Sequence, residues 1–243
     1  MYNALSIMHQ VWIFLIVLVA VFTQSVTGFG VALVAMALLP PVIGIRAATP
    51  LVALVSLVLE GLLLFRYRRQ LHVQAIWRVT AAALVGIPLG LAGLQRLDDR
   101  LVLGILGTVI SFYALYSLLG LQLPELKNPG WAFTAGLFGG ILGGAYNTSG
   151  PPVILYADSQ HWPPVEFKAN LRGFFIVATV LVVAGHFFSH NITPVVWRDF
   201  LWALPAILAG FLGGTRLDGY IDGLTFRKIA LVLLLVLGLR LIF

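Results

Sequence analysis

Long apolar stretches alternate with short polar or basic turns along the chain, and near the start of each half one such stretch is interrupted. Uninterrupted apolar runs near 48–65, 75–94, 101–123, 173–188, 200–215 and 229–243 predict six helices, the last beginning near Phe226. A helix of about 20 mainly apolar residues spans a bilayer. The first interruption, Gln24-Ser25-Val26-Thr27-Gly28-Phe29-Gly30, sits between apolar stretches 11–22 and 31–39. The second, Gly143-Gly144-Ala145-Tyr146-Asn147-Thr148-Ser149-Gly150-Pro151-Pro152, sits between 131–142 and 153–157. Backbone that leaves a helix inside hydrocarbon has no water to bond, so it persists only where it lines a cavity within the protein. Interruptions in corresponding positions of two halves point to the binding site of a transporter.

The halves resemble one another. Pro40-Pro41-Val42 recurs as Pro163-Pro164-Val165, Thr27-Gly28 as Ser149-Gly150, and Arg96-Leu97-Asp98 as Arg216-Leu217-Asp218, at offsets of 123, 122 and 120. The order is kept and the offset nearly constant, as expected of a duplicated unit. The expected organisation is a first repeat over 1–123, a linker over 124–130 and a second repeat over 131–243, each a broken element followed by three spans. Parallel repeats require the broken element to cross the membrane once; inverted repeats require it to enter and leave by one face. Basic residues favour cytoplasmic loops. With Arg66, Arg68, Arg69 and Arg78 taken as cytoplasmic and Arg172 set aside as intramembrane, the parallel arrangement puts seven basic residues on each side. The inverted arrangement puts nine inside and five outside, and is preferred. Arms of only 12–16 residues around each break, nearer half a span than a whole one, agree. The expected fold class is therefore all-α and polytopic, with two inverted tandem repeats.

Composition narrows the chemistry. Sixty per cent of the 243 residues are hydrophobic and ten per cent charged, against roughly 25% charged in soluble domains. The net charge of +6 resides in turns between spans, which argues against nucleic acid as a partner. The absence of cysteine excludes disulfides, thiol catalysis and cysteine-held metals. Residues 1–10 carry no Lys or Arg, so they lack the charged start of a cleaved signal peptide, and 11–23 are expected to stay in the mature protein. No phosphate-binding loop, zinc-protease motif or nucleophile elbow occurs, and the five histidines are scattered. No cofactor, metal or enzymatic activity is expected. The expected partners are a small anion and the lipid bilayer, with a homodimer left open.

Candidate binding residues concentrate at the breaks. Thr27 and Ser149 are expected to cap the helices that follow Gly28 and Gly150, with Pro151 in the first turn of the second. Two helix N-termini meeting near the midplane would offer free N–H groups and partial positive charge to an anion. Gln24, Ser25, Asn147 and Thr148 add neutral hydrogen-bonding groups; the plainer alternative is that these groups satisfy one another at a helix kink. Arg172 is either an oxyanion ligand or a snorkelling helix-end residue. Glu60 is either a proton-coupling carboxylate or an acid paired with the nearby arginine cluster. His186 reads as a helix-end residue, and Asp98 and Asp218 as helix caps. Glycines at 136, 140 and 144, with 86–90 and 210–214, read as sites of close helix approach.

Thr27-Gly28-Phe29-Gly30, followed by an apolar helix and Pro40, resembles the Gly-Phe-Gly element near the start of TauE/SafE-type permeases, the sulfite exporter or toluene-sulfonate uptake family. Gly139-Gly140 through Gly150-Pro151-Pro152, then Leu155-Tyr156, resembles that family's second glycine-rich element. The resemblance covers nearly the whole chain and implies an inner-membrane secondary carrier for sulfite, organosulfur or related small anions. Asn147-Thr148-Ser149 replaces the all-glycine run of many members and makes the second break more polar. The expected function is export of a sulfur-containing oxyanion held by Thr27, Gly28, Ser149 and Gly150, oriented by Gln24 and Asn147, with Arg172 supplying charge. Two rivals are a cation or metal permease using Glu60, and an intramembrane enzyme or scaffold.

Overall fold

The computed structural model describes residues 2–121, 124–217, 220 and 223–242, with side chains described throughout except at 2–7, 66–68 and 223–224. Among the described residues there are eleven α-helices, one short 3-10 turn and no strand. They are α1 (Tyr2–Thr27), α2 (Val31–Leu38), α3 (Pro40–Ile43), α4 (Ile45–Tyr67), α5 (Val73–Arg96) and α6 (Asp99–Leu118), then α7 (Pro129–Tyr146), α8 (Gly150–Ser159), α9 (Pro164–Phe188), α10 (Pro194–Leu217) and α11 (Gly223–Ile242). Among the described residues, six helical segments are long and apolar enough to cross a membrane: Met8–Thr27, Ile45–Phe65, Val73–Arg96, Asp99–Leu118, Pro164–Phe188 and Pro194–Leu217.

The expected short arm before the first break is instead the 26-residue α1, about 39 Å long at 1.5 Å per residue. No glycine or proline interrupts Tyr2–Thr27, so nothing ends the helix before Gly28. Its partner arm is short: α2 has eight residues and α3 four. The second break separates α7, of 18 residues, from α8, of ten. The last helix starts at Gly223, three residues ahead of the expected Phe226.

Polar contacts fix which helix ends lie together. Gln160, capping the end of α8, donates to the Leu126 carbonyl just ahead of α7, so the α7–α8 pair begins and ends at one end of the bundle. The start of α9 follows Gln160 closely in the chain and so lies there too, and the start of α5 joins it, since His72, just ahead of α5, pairs with Glu166 at 2.9 Å. At the opposite end Arg46, at the start of α4, pairs with Asp99, at the start of α6, at 2.7 Å. His9 on α1 meets Asp199 on α10 at 3.4 Å. The main packing pairs are α5 with α7, α1 with α10, α6 with α11 and α4 with α9. Asp98 caps α6 by accepting from the Arg100 amide at 2.9 Å; Asp218 lies outside the described residues.

Glycine makes two of these seams. A Cβ on Gly140 would stand 2.8 Å from the Ala83 Cα on α5, and one on Gly210 would stand 2.9 Å from the Leu18 carbonyl on α1. Such approach is open only to residues without a side chain there. The core is a continuous apolar cluster running through α1, α2 and α4 to α11.

Candidate functional site at the two helix breaks

At the first break α1 stops when the Gly28 amide donates back to the Gln24 carbonyl at 2.9 Å. Gly28 and Gly30 have φ of 89° and 113°, a region only glycine enters at low cost. Helix α2 then starts with Gly30, not Thr27, as its N-cap, and no side chain of the cap residue bonds to it. The expected Thr27 cap is therefore corrected. Its hydroxyl lies 2.8 Å from the Thr23 carbonyl one turn back, because α1 continues helically through it, and 2.7 Å from the Phe29 carbonyl ahead, so its donor is directed to carbonyls and not to the start of α2. Gln24 does the capping from seven residues upstream. Its Oε1 accepts from the Val31 amide at 2.8 Å.

The other end of Gln24 enters a buried charged cluster. Its Nε2 donates to Glu60 Oε1 at 2.5 Å. Arg172 Nη1 donates to both carboxylate oxygens at 3.1 Å, and Arg172 Nη2 donates to the Gly28 carbonyl released by the break. Arg172 is 1% exposed and Glu60 3%. Arg172 is thus not a snorkelling helix-end residue: it is the counter-ion of Glu60, 112 positions away. Further hydrogen bonds offset the cost of burying such a pair: Gln24 donates to Glu60 and the Gly28 carbonyl accepts from Arg172 Nη2, while Arg172 Nε has no partner among the described residues.

At the second break Asn147 turns left-handed at φ 55° and ends α7. Its Nδ2 donates to Ser56 Oγ at 2.9 Å, which ties this break to α4. Ser149 is the N-cap residue of α8, although its hydroxyl makes no capping bond, and Pro151 and Pro152 occupy the first turn. Thr148 is 1% exposed, and its hydroxyl has no hydrogen-bond partner among the described residues.

Between the breaks lies a cavity of about 40 Å³, room for roughly three water-sized spheres. Its wall holds the first turn of α2, residues 30–33, together with Gln24, Glu60 and Asn147, Thr148, Ser149 and Gly150. The amides of Ala32 and Leu33 are among those with no intrahelical acceptor. The two prolines make α8 a poorer donor of N–H groups than α2. Of the expected site residues, Gln24, Glu60, Asn147, Thr148, Ser149 and Gly150 converge here. Ser25 does not: it bonds back to the Val21 carbonyl at 2.8 Å. Thr27 and Gly28 line a second, wider cavity of about 550 Å³, and Arg172 lines neither. Ser56 and Thr179, also on the inner wall, carry no sequence signal beyond being small polar residues in apolar helices.

A family model described as Sulfite exporter TauE/SafE matches residues 13–241. The chain is 29% identical over 230 residues to the probable sulfite/organosulfonate exporter TauE of Cupriavidus necator, covering 88% of this chain and 86% of that one. It is 30% identical over 175 residues to the probable inner membrane transporter protein TsaS of Comamonas testosteroni, covering 71% and 73%. No solved structure matches.

Proposed function

Because the chain belongs to the sulfite exporter TauE/SafE family, a family of multi-pass inner-membrane transporters, we propose that it exports a small sulfur-containing oxyanion, sulfite or an organosulfonate, held between the two helix breaks. The observation that carries this reading is the unpartnered Thr148 hydroxyl, buried in a wall where the first turns of α2 and α8 converge. An oxyanion there would accept from Thr148, Ser149 and the amides of Ala32, Leu33 and Gly150. Helix N-termini favour such a ligand without a fixed charge. Asn147 and Gln24 hold the two breaks in shape, and Arg172 acts through Glu60 and the Gly28 carbonyl. Because Arg172 already occupies Glu60, the carboxylate is poorly placed to serve a bare cation.

The same reading includes two inverted repeats, α1 to α6 over 1–123 and α7 to α11 over 131–243, joined by 124–130. Exchanging α1, α2, α4, α5 and α6 with α7 to α11 in order converts the α5–α7 seam into α10–α1, the α5–α9 contact into α10–α4, and leaves α4–α9 and α6–α11 as they are. Helices α5 and α10 each carry an internal proline, Pro88 and Pro205. Both features support alternating access around a shared midplane site. An inside-negative potential favours anion exit by about 2.3 kcal/mol per charge per 100 mV, so export needs no coupling ion, and Glu60 is the candidate proton carrier if one is used.

Sulfite efflux from liposomes under an imposed potential tests the proposal, with sulfate, sulfoacetate and chloride as competitors. Efflux that rises with internal negative potential and is blocked by sulfonates supports it. Well-folded protein that moves none of these anions would sink the assignment.

A further inference from the structure

We propose that the wider cavity is a separate anion-capture station, where Arg227 and Lys168 hold the anion before it passes Phe29 into the inner cavity. The two cavities share Phe29 and Ile154 in their walls, so these side chains stand between 550 Å³ of vestibule and 40 Å³ of inner site. The vestibule lies at the end of the bundle where α6 and α8 finish and α9 and α11 begin. Lys168 and Arg227 are each the fifth residue of their helix. Two cations from different helices thus converge on one cavity wall. Asp158 is the single carboxylate in that wall, which leaves an excess of one positive charge. Neither cation has a carboxylate within ion-pairing distance among the described residues.

Phe29 is held as a partition. Its ring meets Tyr113 edge-to-face at 6.0 Å, and the Arg227 guanidinium lies 5.1 Å from its centroid. Lys168 runs alongside Gly28, its Cε 3.8 Å from where a Cβ would stand. The Tyr116 hydroxyl, buried and without a partner among the described residues, adds a donor to the same wall. A low-dielectric cleft of one sign concentrates counter-ions, and an anion bound at Arg227 would draw that cation from the Phe29 face. The inference rests on the transport reading for the identity of the anion, not for the existence of the station.

Trp162 lines the vestibule and reports on it directly. The test is iodide quenching of Trp162 fluorescence in nanodiscs, isolated from the other five tryptophans by difference against Trp162→Phe. Expected is saturable quenching that sulfite competes away. It should weaken about tenfold in Arg227→Gln/Lys168→Gln and persist in Arg227→Lys/Lys168→Arg. Quenching by neutral acrylamide should be equal in all variants. Linear iodide quenching, or quenching indifferent to removal of both charges, overturns the station. Saturable quenching in protein that moves no sulfite overturns the transport reading and leaves the station standing.

Discussion

Thr148 and Glu60 make opposite demands on their surroundings. Thr148 buries a hydroxyl with no partner among the described residues, a cost of roughly 1–3 kcal/mol that a ligand could recover. Thr148→Val keeps the shape and removes the cost. Its melting temperature should therefore hold or rise, while sulfite flux falls roughly 10- to 100-fold, the worth of one hydrogen bond to a charged group. Unchanged flux would separate Thr148 from the substrate. Glu60→Gln should instead destabilise by about 3–5 kcal/mol, because it leaves Arg172 charged, buried and unpaired. Joining it with Arg172→Gln should restore much of that loss in a thermal-melt double-mutant cycle; additive losses would mean the pair is not coupled. Both residues were recognisable in the sequence as expensive intramembrane charges. Their pairing was not, because 112 residues separate them and no local periodicity relates α4 to α9. Opposite charge was the available hint.

Close helix approach was legible from glycine spacing, and it gives a contrast among elements. Gly140→Ala should cost about 1–3 kcal/mol of overpacking, since its Cβ would stand 2.8 Å from the Ala83 backbone. Gly104→Ala, in open space on α6, should be neutral or stabilise by up to about 1 kcal/mol. Equal melting shifts for the two would contradict the seam. Helix α1 exceeds the expected arm because the residues before position 11 continue the same helix beyond the apolar stretch. The start of α2 departs from the expected cap for a related reason. Capping preferences look at adjacent residues, whereas Gln24 reaches Val31 from the preceding helix.

For the whole molecule, the family, the class and the location of the breaks followed from hydropathy and motif; side-chain convergence within the cavity needed the fold. The absence of cysteine makes topology directly testable. Lys127→Cys and His161→Cys should label with an impermeant maleimide from one side, and Arg46→Cys and Arg100→Cys from the other. Lys127 and His161 labelling from opposite faces would exclude inverted repeats. Flux alone does not locate the anion. The most direct measurement is a crystal structure with selenite, an electron-dense analogue of sulfite, read by its anomalous signal. The account predicts a peak within hydrogen-bonding distance of the Thr148 hydroxyl and the first-turn amides of α2, lost in Thr148→Val. Selenium found elsewhere in the protein, with the space between the breaks empty, would contradict it.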